Sequence, residues 1–173
     1  MRNSSKYGKL REPIILLQNP SLSHADYYPH ASQMTIKVLY LSDGTIVGAA
    51  AAGYEGVDKK IDIIATAIHF HGKISDLSEL ELCYAPPFSS AKDPVNMLGF
   101  IGENQLSHLC NFMSWDEYED LDKSKVTLLD VRTHEEYAEG SVDGALHIPL
   151  DDLRKHLDYL NKSHITAVFC GVG

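Results

Sequence analysis

Leu128-Leu129-Asp130-Val131-Arg132-Thr133-His134-Glu135-Glu136-Tyr137 decides the architecture of the last third of the chain. Its apolar start belongs to a strand predicted over Val126–Val131, and a helix is predicted over Thr133–Ala138. A second strand follows at Ala145–Ile148, an amphipathic helix over Asp151–Leu160, and a third apolar strand over Ile165–Phe169. A short capped helix over Ser114–Leu121 precedes them. Apolar strands alternating with helices argue for a parallel α/β sheet. Ligand sites in such sheets lie at the carboxyl ends of the strands. Cys170 stands at such an end, followed by Gly171 and Gly173.

A cysteine that leaves a buried strand for a glycine-bearing loop can receive several backbone N–H groups. Such a nest stabilises the thiolate. A thiolate there attacks a sulfur donor and carries a persulfide. The competing reading is a buried strand-end cysteine that behaves as a small apolar residue.

The stretch around Asp130 continues as Glu139-Gly140-Ser141-Val142-Asp143-Gly144-Ala145-Leu146-His147-Ile148-Pro149-Leu150. In this order, the Asp-Val-Arg strand end, the Glu-Glu-Tyr helix, the Gly-x-x-x-Gly-Ala turn and the Ile-Pro exit resemble the rhodanese domain, from about Phe112 onward. The resemblance implies that Cys170 bears the transferred sulfur. It also implies that Asp130 and Arg132 support and polarise the pocket, with Gly171 and Gly173 in the cysteine loop. A rhodanese loop normally runs on into a helix and a further strand, whereas this sequence stops at Gly173. A truncated unit with exposed strand edges and impaired sulfurtransferase activity is therefore expected.

Upstream, Ile14-Ile15-Leu16-Leu17 marks a short strand within Glu12–Gln18, and Asn19–Ser32 reads as loop. Met34–Leu41 alternates apolar and polar residues. Asp43-Gly44 signals a hairpin, and Thr45–Gly53 returns as a small-residue strand whose alanines suggest close packing against a helix. Ile61, Ile64, Ala65 and Ile68 recur at helical spacing, so Asp58 to about Phe70 is a helix with Asp58 as its cap. His69 and His71 fit a solvated last turn better than a metal site. A second short helix is predicted over Ser75–Leu82, extended chain over Ala85–Phe88, and a third helix from Pro94 to about His108, opened by Asp93.

Three motifs in this region resemble the C-terminal dimerisation domain of FAD-dependent pyridine nucleotide-disulfide reductases, nearest the coenzyme A-disulfide reductase and NADH oxidase-like branch. They are Ser23-His24-Ala25-Asp26-Tyr27-Tyr28-Pro29, Gly53-Tyr54-Glu55-Gly56-Val57-Asp58-Lys59-Lys60-Ile61-Asp62, and Leu80 to Met97 with its Tyr84-Ala85-Pro86-Pro87-Phe88 centre. Some members of that branch end in a fused rhodanese domain. The resemblance implies that Tyr27 and Tyr84 reach the partner subunit's active site, with Tyr28 ranked below Tyr27. A phenol can hydrogen-bond a sulfur anion or protonate a leaving thiolate; without the resemblance each tyrosine reads as packing or interface. Lys92 and Asp93 fit a helix start beside the partner's flavin, or a plain cap.

The whole fold is thus expected to be α/β. An α+β dimerisation domain over 12–110, with an antiparallel hairpin sheet and helices, precedes a partial parallel α/β rhodanese-like domain over 111–173. The first unit is expected to be the better ordered. Charge follows the same division: up to Cys110 there are nine basic and 11 acidic residues, and after it six and 13. The 173 residues carry a formal charge of −9, 44% hydrophobic and 23% charged residues, a globular composition. Net negative charge disfavours nucleic acid and anionic membrane surfaces. No apolar run approaches the roughly 20 residues of a membrane span. Three scattered cysteines, Cys83, Cys110 and Cys170, make neither a disulfide framework nor a metal knuckle, which fits a cytoplasmic protein. No Gly-x-Gly-x-x-Gly fingerprint is present, so this chain alone is expected to bind no cofactor; FAD, NAD(P)H and coenzyme A belong to the parent family. The expected partners are a second copy or a full-length flavoprotein reductase, and small sulfur compounds. The expected function is the C-terminal portion of a coenzyme A-disulfide or polysulfide reductase. A stand-alone sulfurtransferase and an inactive gene fragment are the alternatives.

Overall fold

The structure, a computed structural model, describes residues 15–171. The strand start expected at Glu12–Ile14 and the loop position of Gly173 lie outside those residues. The chain divides into two compact units between Asn111 and Phe112.

In the first unit, β1 (Ile15–Leu22), β2 (Gln33–Tyr40) and β3 (Ile46–Gly53) form an antiparallel sheet in the order β1-β2-β3. Alternation along β2 buries Met34, Ile36, Val38 and Tyr40 on one face. The hairpin between β2 and β3 closes at Asp43-Gly44, where the Asp43 carboxylate accepts from the Thr45 amide and hydroxyl, both at 2.9 Å. Two 13-residue helices, α1 (Val57–His69) and α2 (Pro94–Leu106), pack against the sheet. Asp93 caps α2 by accepting from the Val95 amide at 2.9 Å, and Pro94 takes the first helical position. Gly99 and Gly102 let α2 lie directly on the turn at residues 74–78. A Cβ on Gly99 would meet the Ser78 amide nitrogen at 2.2 Å, and one on Gly102 would meet Ile74 at 2.3 Å. The buried Tyr40 hydroxyl donates to Gln105 at 2.7 Å.

Several local expectations are corrected. β1 runs on to Leu22 through Pro20, into the expected loop, because an edge strand tolerates a proline. Gly56, not Asp58, is the cap residue of α1. The buried stripe of α1 holds Lys60 and Ile64, whereas Ala65 is exposed. The helix expected at Ser75–Leu82 is one 3-10 turn, Ser75–Leu77, held under α2 by Asn96, whose amide donates to the Leu77 and Leu80 carbonyls at 2.9 Å. Pro86-Pro87-Phe88 turns rather than extends, with the Phe88 amide donating to the Ala85 carbonyl at 2.9 Å. The alanine strand β3 does pack on α1, but it is a sheet edge with Ala50 and Ala52 exposed.

In the second unit, α3 (Trp115–Glu119) and α4 (His134–Ala138) each open on a capping box, Ser114 with Glu117 and Thr133 with Glu136. Strands β4 (Val126–Asp130), β5 (Leu146–His147) and β6 (Ile165–Phe169) form a parallel sheet with β4 central. The expected helix over Asp151–Leu160 is two 3-10 turns, Leu153–Lys155 and Leu157–Tyr159. Leu157 and Tyr159 remain exposed, so no apolar face holds a longer helix in place.

Candidate functional site

Each unit holds one cluster of the expected site residues. In the first, loop 23–32 is fixed from within. The buried His24 contacts the Ser23 hydroxyl at 3.0 Å through Nδ1, and its Nε2 lies 3.1 Å from the Pro29 carbonyl. Only a protonated Nε2 can donate to that carbonyl. The Ala25 amide reaches the Pro86 carbonyl at 3.4 Å, tying this loop to the one that bears Tyr84. Tyr27 and Tyr84, 57 residues apart, share a hydrogen bond of 2.6 Å between their hydroxyls. Either oxygen can donate; the other hydroxyl then keeps its hydrogen for a third group. This bond, followed by desolvation, holds the Tyr27 phenol above its ordinary pKa. Tyr27 is 70% exposed and Tyr84 48%. The pair lines an open cleft of about 400 Å³ with Asp26, Ser90, Lys92 and Pro94. Tyr28 stays outside this lining and sets its ring edge-on to His24, with centroids 5.8 Å apart.

The same unit holds a buried group in which the sequence reading gives Asp93 only a helix start, and Lys60 and Ser89 no role. Lys60 and Asp93, each 4% exposed, form a buried ion pair, and the Ser89 hydroxyl donates to the same Asp93 carboxylate. The available signal was a lysine at a buried helical position, four residues before Ile64. Asp93 thus both caps α2 and anchors the 89–93 segment. Its carboxylate already satisfies the Val95 amide in the first turn of α2. The cleft is open, so these residues alone do not enclose a flavin.

In the second unit, the carboxyl end of the sheet aligns His147, Asp130 and Phe169 across three strands, with Cys170 next in the chain. Asp130 is fully buried. It accepts from Arg132 Nε at 3.0 Å, from Arg132 Nη2 at 2.7 Å and from the Ser141 hydroxyl at 2.6 Å. Arg132 Nη2 also donates to the Gly140 carbonyl at 2.7 Å. The Arg132 hydrogen bonds, above all, outweigh burial and hold the Asp130 carboxyl well below the usual carboxylate range. In return, Asp130 raises the Arg132 guanidinium. The His147 ring stacks on Tyr137 with centroids 4.0 Å apart, and its Nε2 lies 2.9 Å from the Arg132 carbonyl. Ser141 and the His147–Tyr137 stack were not singled out in the sequence. Cys170 is half-buried at the end of β6, with Gly171 after it. Cys83 and Cys110 are exposed, and His69 and His71 lie on the surface. Among the described residues no His, Cys, Asp and Glu cluster is placed to hold a metal ion, and no helix is long and apolar enough to cross a membrane.

The second unit is a parallel sheet with a cysteine at a strand's carboxyl end. Residues 114–173 match the rhodanese-like domain family, so the chain carries a rhodanese-like domain. The chain is also 44% identical over 79 residues to a coenzyme A disulfide reductase of Staphylococcus aureus (strain bovine RF122 / ET3-1), covering 45% of this chain and 18% of that enzyme. That match is longer than the second unit, so it includes residues of the first. Among solved structures, the chain resembles reduced Bacillus anthracis CoADR-RHD with a TM-score of 0.86 and 38% identity. That match covers 97% of this chain and 30% of the other. A NAD-dependent persulfide reductase from A. fulgidus matches with a TM-score of 0.80 and 31% identity, over 94% of this chain and 29% of that one. The chain is therefore homologous to the rhodanese-bearing C-terminal region of coenzyme A disulfide reductases, and it spans less than a third of the length of these relatives.

Proposed function

We propose that the chain is the C-terminal portion of a FAD- and NAD(P)H-dependent reductase of coenzyme A disulfide or persulfides. The first unit pairs subunits and offers Tyr27 and Tyr84 to the partner's active site. The second carries sulfur on Cys170. The observation that carries this reading is the Tyr27–Tyr84 hydrogen bond. Two segments distant in sequence converge on a pair of phenols in an open cleft that buries neither of them. Such a pair suits a sulfur anion supplied from outside the unit, since one hydroxyl remains able to donate. A polysulfide or hydropersulfide is the matching substrate for Cys170, and no nucleic acid or membrane is required.

Light scattering of the purified chain tests the pairing, with a dimer expected. Mass spectrometry after exposure to polysulfide tests the sulfur carrier. One added sulfur atom on Cys170 is expected, absent in Cys170→Ser and retained in Cys83→Ser and Cys110→Ser. A monomer at all concentrations defeats the first assignment. Sulfur retained in Cys170→Ser defeats the second.

A further inference from the structure

We infer that Glu136 sets which sulfur donors Cys170 accepts, admitting uncharged hydropersulfides and turning away dianions such as thiosulfate. This rests on the reading of Cys170 as a sulfur carrier. The Glu136 carboxylate is held in place by the capping box of α4, where its Oε2 accepts from the Thr133 amide at 2.9 Å. Its other oxygen, Oε1, faces the cysteine loop and lies 3.2 Å from where a Cβ on Gly171 would sit. A carboxylate therefore stands against the residue that follows the nucleophile.

Arg132, whose guanidinium senses the Glu136 carboxylate and lies over the Phe169 ring, is already paired with Asp130. The guanidinium of Arg132 has Nε and Nη2 committed to Asp130, and Nη2 also binds the Gly140 carbonyl. The unit as a whole has 13 acidic against six basic residues. A dianion nearing Cys170 meets the negative charge of this carboxylate, whereas a neutral donor does not. The transfer itself needs no further oxidant. The Cys170 thiolate attacks the outer sulfur of a hydropersulfide, R–S–SH. A new S–S bond forms to Cys170, the donor's S–S bond breaks, and its electron pair leaves with the thiolate R–S⁻. The proton stays on the transferred sulfur. With thiosulfate the same attack would release sulfite.

The test uses the full chain in a Cys83→Ser/Cys110→Ser background, with Glu136→Gln and Glu135→Gln compared. Glutamine keeps the capping box, so the fold of α4 is retained. The alkylation rates of Cys170 by anionic iodoacetate and neutral iodoacetamide are measured as a ratio. The ratio cancels any change in thiolate fraction, which affects both reagents alike. Glu136→Gln is expected to raise the ratio about threefold and sulfur loading from thiosulfate about tenfold, as one close charge acts on a monoanion and on a dianion. Loading from a neutral hydropersulfide should stay constant. In the unsubstituted Glu136 chain, added salt should raise the ratio by screening, a readout independent of the variant's folding. An unchanged ratio in Glu136→Gln, or an equal rise in Glu135→Gln, overturns the assignment to Glu136. Failure of the starting chain to load sulfur from any donor would instead defeat the sulfur-carrier reading, and the alkylation ratio would still decide the role of Glu136.

Discussion

Each unit contains a buried carboxylate paired with a cation, but the surroundings differ. Lys60–Asp93 lies beside a cluster of 11 buried apolar side chains drawn from the sheet, both long helices and the turn between them. Asp130–Arg132 closes the end of a three-stranded sheet in which, among the described residues, only Leu128, Leu129 and Ile148 are buried apolar side chains. On β6, Ile165 is 51% and Val168 56% exposed. The first unit is therefore held chiefly by apolar burial, with its ion pair as an inserted polar tie. The second has little apolar burial and depends far more on its polar network. That contrast teaches where each unit will fail. The first, with its larger core, fails above all by loss of charge balance at its inserted ion pair. The second fails by loss of any one of its few buried apolar side chains and, less severely, of its single buried carboxylate.

The two units can be followed separately. The single tryptophan, Trp115, reports on the second unit, whereas α1 and α2 dominate the helical dichroism of the first. The largest effect is expected from Lys60→Met, which strands the buried Asp93 charge. A loss of about 3–5 kcal/mol is expected in urea unfolding followed by helical dichroism. Adding Asp93→Asn should restore part of it, and a cost below about 1 kcal/mol would show that Asp93 is hydrated after all. Next, Leu129→Ala should cost about 2–5 kcal/mol. With so small a core, Trp115 fluorescence should then report an unfolded second unit without denaturant while helical dichroism persists. Persistence of both signals would break the contrast.

A smaller effect concerns pH. Asp130 has a depressed pKa in the folded unit, so its contribution is complete above the ordinary carboxylate range. It is lost as pH falls from about 5 downward. The urea midpoint read by Trp115 should therefore drop on acidification, and Asp130→Asn should flatten that part of the profile. A profile unchanged by the substitution would remove Asp130 as the second unit's acid-labile tie. The smallest effect is local. Tyr84→Phe removes the main cause of the raised Tyr27 pKa, so the ultraviolet titration of Tyr27 should move down towards the ordinary phenol value. No movement would mean that the 2.6 Å contact does not persist in solution.

Much of the second unit was legible because its signals are local. The Val126–Asp130 and Ile165–Phe169 strands are short apolar runs bounded by polar residues, and Ser114 and Thr133 cap within one turn of themselves. The Asp151–Leu160 segment has helical spacing too, yet it forms two separate turns, since spacing alone supplies no surface to pack on. In the first unit, β2 and α2 could be read directly from alternation and from Asp93-Pro94. The fate of Ser75–Leu82 depended on Gly99 and Gly102 pressing α2 onto that turn, a contact between residues more than 20 positions apart.

By itself the sequence determined the alternation of β2, the capped helices, the parallel strands and the placing of Cys170 at a strand end, because each depends on neighbours within a few residues. Only the tertiary structure decided that Tyr27 meets Tyr84, that Lys60 is buried on Asp93, and that Glu136 faces Gly171. Those contacts join segments between 33 and 57 residues apart. Side-chain partners at that range are selected by how helices, sheets and loops close on one another, which no local pattern encodes.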